Sequence, residues 1–60
     1  MKSSELFKKL KKDGWFAVSQ EGSHIKMKHS IKTATIIFPY HGAKEVPKGL
    51  ENAIKKQAGI

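Results

Sequence analysis

The chain has 60 residues and a net charge of +7, with twelve basic residues that are all lysine and no cysteine. A domain this small buries only about 60% of the surface its unfolded chain exposes, so it holds one modest core and no deep active-site cavity. Disulfides and thiolate metal sites are excluded, and no apolar run reaches membrane-spanning length. The charge favours nucleic acid or another polyanion, held by point charges on phosphates and without arginine's bidentate fork for bases.

Residues 1–60 read as one domain, and in the absence of a signal-peptide pattern its expected setting is the cytoplasm. Ser3 or Ser4 is placed to cap a first helix, with Glu5 in the first turn, where a carboxylate meets the positive end of the helix dipole. Leu6, Phe7 and Leu10 share one face, lysines at 8, 9, 11 and 12 fill most of the rest, and Gly14 stops the helix after Asp13, giving a span of about 4–13. The lysine ridge reads as a solvated face matched to the dipole, with nucleic-acid contact as the alternative.

A hairpin follows. Trp15 to Glu21 contains Trp, Phe and Val and favours extended structure. Gly22-Ser23 fits a two-residue type II′ turn, in which glycine supplies the positive φ of the first central position. The second strand continues to His29. Regular pairing sets Glu21 opposite His24, Gln20 opposite Ile25, Ser19 opposite Lys26, Val18 opposite Met27 and Ala17 opposite Lys28. Phe16, Val18, Gln20, Ile25 and Met27 then face the core. Ala17, Ser19, Glu21, His24, Lys26 and Lys28 form a wet, basic face. Trp15 alternates with Phe16, which sets it nominally on or beside the open face as a stacking platform; packing against the preceding helix is the favoured role.

A third strand is expected over Thr33 to Phe38, with Ala34, Ile36 and Phe38 in the core and Ile37 on the open face. After the irregular connection Pro39-Tyr40-His41-Gly42, Pro47 fits the first turn of a second helix with the stripe Leu50, Ala53, Ile54, Gln57 and Ala58, ended by Gly59. The expected fold is therefore α+β: an α-β-β-β-α two-layer sandwich with a three-stranded antiparallel sheet, both helices on one face and the other face open.

That open face carries the candidate chemistry. A neutral His24 imidazole can take a proton from a ribose 2′-hydroxyl or a water, and as imidazolium it can donate one. Lys26 and Lys28 can hold the phosphodiester and offset charge developing on its oxygens. Glu21 is placed to orient the ring, Ser23 to position a phosphate or the imidazole, and His41, in the loop after strand three, to assist at the site or to cap the sheet edge. The alternative for His24 is a surface turn histidine with no task, and Gly22 and Ser23 are then simply turn residues. His29 falls on the core side, as a packing or edge residue. The histidines lack a supporting carboxylate cluster, so no metal site and no small-molecule cofactor are expected.

Several stretches together resemble the HicA family of bacterial toxins: Met1-Lys2-Ser3-Ser4-Glu5-Leu6, Leu10, Asp13-Gly14-Trp15, Gly22-Ser23-His24, Pro39-Tyr40-His41-Gly42, Pro47-Lys48-Gly49, and Ile54-Lys55-Lys56-Gln57-Ala58-Gly59-Ile60. The resemblance covers the whole chain. It implies a fold like that of double-stranded-RNA-binding domains and an mRNA interferase that cuts RNA without metal, with His24 as the catalytic residue. It also implies neutralisation by a partner antitoxin, HicB, that covers the active site, for which Ile37 and Trp15 offer apolar anchors. The chain departs from the family pattern at Leu50-Glu51, where threonine often follows the glycine, and at Ile37, often polar. A non-catalytic RNA-binding module using the same basic face is the alternative function.

Overall fold

The computed structural model describes residues 1–60 and contains five elements: α1 (Ser3–Asp13), β1 (Trp15–Glu21), β2 (His24–His29), β3 (Thr35–Pro39) and α2 (Lys48–Ala58). The strands form one antiparallel sheet in the order β1-β2-β3. Leu6 and Leu10 of α1 and Ile54 and Ala58 of α2 share a single core with Trp15, Ile25, Met27, Ile36, Phe38 and Val46. Both helices thus occupy one face of the sheet and leave the other bare, as the apolar pattern of the helices and central strand requires. No helix is long and apolar enough to cross a membrane.

Neither serine caps α1. The helix begins at Ser3, and the N–H groups of Ser3 and Ser4 donate to the carbonyls of Lys44 (2.9 Å) and Gly42 (2.8 Å). The loop before α2 therefore satisfies donors that a first helical turn leaves unpaired. Glu5 adds its carboxylate to the Lys2 N–H at 3.1 Å. Ser3 is buried, and its hydroxyl accepts from the His41 N–H (3.0 Å) and donates to the Pro39 carbonyl (3.3 Å). It clasps the end of β3 to the start of α1.

The hairpin follows the expected register from the turn as far as Ser19 opposite Lys26, then departs from it. A β-bulge at Val18 sets Ala17 opposite Met27, Phe16 opposite Lys28 and Trp15 opposite His29. One extra residue moves every later side chain to the other face. Trp15 is therefore buried in the core, away from the open face, while Phe16, expected inside, is 45% exposed on the bare face. Ala17 shares the side of Met27 instead of that of Lys28. Val18 and Gln20, also expected in the core, are exposed on this edge strand.

Strand β3 starts at Thr35, opposite Lys28, and Ala34 is exposed ahead of it. The delay has a cause in His29. Its Nδ1 accepts the N–H groups of Ile31 (3.0 Å) and Lys32 (3.1 Å), which curls the chain into a tight loop before it can pair. With Nδ1 accepting, the ring proton lies on Nε2, which donates to the Asp13 carbonyl at 2.6 Å. The ring meets Trp15 edge-on with centroids 5.2 Å apart. A Cβ on Gly14 would stand 2.7 Å from Nε2, and Gly14 itself sits at φ 112°, so only glycine fits between helix end and ring. Lys32 completes the junction, donating to the Asp13 carboxylate (2.7 Å) and to the Ala58 carbonyl at the end of α2 (2.6 Å). That ammonium holds the Asp13 carboxyl below its ordinary range.

In α2 the inward stripe is Glu51, Ile54 and Ala58, while Leu50 is half-exposed and Ala53 and Gln57 face solvent. A buried carboxylate needs partners, and Glu51 has the Lys55 ammonium at 2.9 Å and the Met1 amine at 3.2 Å. Lys55 foremost, then the amine, pull its pKa down.

Candidate active site

His24 opens β2 directly after the turn, at the end of the central strand. It pairs with Glu21 on one side and Pro39 on the other, and its ring is exposed without any hydrogen bond or ion pair inside the chain. The turn that presents it is held firmly. Gly22 has φ 60°, the value a type II′ turn needs, and nothing lies within 4 Å of where a Cβ would be, so the demand for glycine is purely conformational. The Gln20 amide donates to the Gly22 carbonyl (3.0 Å), and the Tyr40 N–H donates to the Ser23 carbonyl (2.7 Å). The second bond anchors the turn to the exit of β3. The Ser23 hydroxyl makes no bond within the chain, which leaves it free for a ligand.

The bare face is a grid of three rows: Glu21, His24, Pro39; then Ser19, Lys26, Ile37; then Phe16, Lys28, Thr35. His24, Lys26 and Lys28 stand along β2 at intervals of about 7 Å. Every ion pair of the molecule lies elsewhere, drawn from Met1, Lys32 and Lys55 against Asp13, Glu45 and Glu51. Lys26 and Lys28 therefore stand on the same face as the imidazole without an ion-pair partner. No concave pocket opens on this face, which suits a strand laid across it rather than a small molecule.

Of the residues singled out in the sequence, Gly22, Ser23, His24, Lys26 and Lys28 are gathered on this surface. Glu21 stands across from His24, with no bond between carboxylate and ring. His41 follows Tyr40 and is exposed, but its backbone is tied to Ser3 at the start of α1. Phe16, expected in the core, joins this face as its one phenyl ring. The bulge that exposes it falls within Ala17-Val18-Ser19, where no glycine or other irregular residue marks it.

Residues 3–60 match the family described as the HicA toxin of bacterial toxin–antitoxin systems. Over 60 residues the chain is 42% identical to a probable mRNA interferase HicA of Pseudomonas fluorescens (strain Pf0-1), an alignment that covers 100% of this chain and 97% of that protein.

Proposed function

The chain belongs to the HicA family of toxins of bacterial toxin–antitoxin systems, and on that premise we propose that it is a metal-independent mRNA interferase with His24 as the catalytic residue. The observation that carries this reading is the free, exposed imidazole at the end of the central strand beside two unpaired lysines. An RNA strand crossing the face brings a phosphodiester to His24. The neutral ring takes the proton of the attacking hydroxyl, from the ribose or from water, and the imidazolium so formed returns a proton to the departing 5′-oxygen. Lys26 and Lys28 neutralise neighbouring phosphates and the charge that builds on the reacting one. Ser23, at the turn, hydrogen-bonds a phosphate oxygen. A single acid–base group of this kind contributes roughly 10²–10⁴-fold in rate.

The proposed partner in the cytoplasm is a HicB-like antitoxin that neutralises the toxin by covering the same face. Ile37, 56% exposed in the row of Lys26, gives it an apolar contact, while the lysines favour an acidic surface. Trp15 has no part in that contact, since the bulge buries it. The test is incubation of the purified protein with unstructured RNA in EDTA. The proposal expects new fragments from wild type and none from His24→Ala. Binding without fragments would instead make the protein a passive RNA-binding module.

A further inference from the structure

We propose that Phe16 is a stacking platform for one base of the RNA substrate, two nucleotides from the bond cut at His24. The inference rests on the ribonuclease reading above and adds a substrate-positioning residue to it.

Phe16 is a large aromatic side chain, 45% exposed, on the same bare face as His24. It reaches that face only because of the bulge at Val18; a regular strand would have sent it to the core. Its neighbour across the strand pair is Lys28, and Lys26 and His24 follow along β2. From His24 to Lys28 is four residues, about 13 Å along the strand, and β1 lies about 5 Å to the side. Phe16 and His24 are thus about 14 Å apart, backbone to backbone. An extended polynucleotide with one phosphate at Lys26 and the next at Lys28 has its scissile bond at His24 and a base beside Phe16 two nucleotides away. Stacking suits this site because every base offers a π-face, so the ring adds affinity and sets the distance without reading sequence. That matches a surface whose cations are all lysine.

A nucleic acid fits this spot better than a protein does. Phe16 and Val18 stand on one edge strand and Ile37 on the other, with Lys26 and Lys28 on the strand between them. They do not merge into the continuous, charge-depleted apolar patch that forms the centre of a protein interface. One ring flanked by ammonium groups instead offers a base a face and its phosphates a charge.

The test begins by mapping the bond that wild type cuts in an unstructured RNA. Phe16→Ala is expected to lower kcat/KM on that RNA about tenfold, mostly through KM. Phe16→Tyr restores it and Phe16→Leu does not. In parallel, 2-aminopurine is walked through the same RNA bound to His24→Ala. Its fluorescence is quenched two nucleotides from the mapped bond, and the quenching disappears in the His24→Ala/Phe16→Ala double variant. The proposal is overturned if Phe16→Ala cleaves as wild type does, if Leu restores as well as Tyr, or if only antitoxin affinity falls. In each of those outcomes wild type still cuts RNA, so the ribonuclease reading survives. A wild-type protein that cuts nothing removes both.

Discussion

Replacing His29 with alanine separates a structural histidine from the one proposed to be catalytic. The ring joins three parts of the chain through bonds to the Asp13 carbonyl and to the N–H groups of Ile31 and Lys32, and it packs edge-on against Trp15. Three hydrogen bonds at about 1 kcal/mol each, with an aromatic contact of about 1 kcal/mol, set an upper figure near 4 kcal/mol. Asp13 and Ile31 lie at the surface, so water recovers part of the lost bonding, and the expected cost is about 2–4 kcal/mol. A 60-residue domain has a total stability of roughly 3–9 kcal/mol, so the variant is near the edge of folding. Its melting temperature falls by roughly 15–30 °C, at about 8 °C per kcal/mol for a domain of this size. Urea and thermal unfolding followed by the fluorescence of the single tryptophan measure this directly, since Trp15 sits against the ring. His24→Ala, which loses no internal hydrogen bond or ion pair, stays within about 0.5 kcal/mol of wild type. A His29→Ala protein as stable as wild type, or a His24→Ala protein that unfolds with it, would refute the division of roles.

Stability falls at both ends of the pH scale. Asp13 and Glu51 have depressed pKa values in the folded state, from Lys32 and Lys55 respectively, so their contribution is present above the ordinary carboxylate range and is lost as pH drops through the folded values. The Met1 amine is raised by Glu45 and then Glu51, so its contribution is complete below about pH 8 and is lost as pH climbs through the folded value. Urea midpoints across pH 2–11 should trace this plateau, and Asp13→Asn should flatten part of the acid limb; an unchanged acid limb contradicts the Asp13 assignment. Gly14→Ala should destabilise at least as much as the roughly 1–2 kcal/mol of left-handed strain, because its Cβ also meets the His29 ring, whereas Gly22→Ala, with open space around it, should cost the strain alone. Ile37→Asp should weaken antitoxin binding, by calorimetry, while leaving the fold intact; unchanged affinity removes Ile37 from that contact.

Much of this fold was legible because several signals agree along the chain. Leu6 and Leu10 at helical spacing, the glycines after α1 and α2, and the alternation of Ile25, Lys26, Met27 and Lys28 each point to the same two-layer arrangement. The Gly22-Ser23 turn then decides which way His24 faces, so the exposed imidazole follows from local geometry. What stayed hidden depends on contacts distant in sequence. The bulge that exchanges Trp15 and Phe16 lets Trp15 pack on His29, 14 residues away, and nothing in Ala17-Val18-Ser19 announces it. The inward turn of Glu51 depends on the Met1 amine at the other end of the chain. Ser3 resembles a cap by type, yet its hydroxyl is spent on the Pro39–His41 segment, because loop carbonyls already serve the helix start. Ala34 alternates correctly with Ile36 and Phe38 but lies outside the sheet, because the His29 loop delays pairing until Thr35.

The central claim concerns one imidazole, and the rate of RNA cleavage in EDTA by His24→Ala relative to wild type tests it most directly, with equal unfolding midpoints as the control for folding. A fall of about 10²-fold or more at unchanged stability is the predicted result. Cleavage by a well-folded His24→Ala protein at the wild-type rate would contradict it.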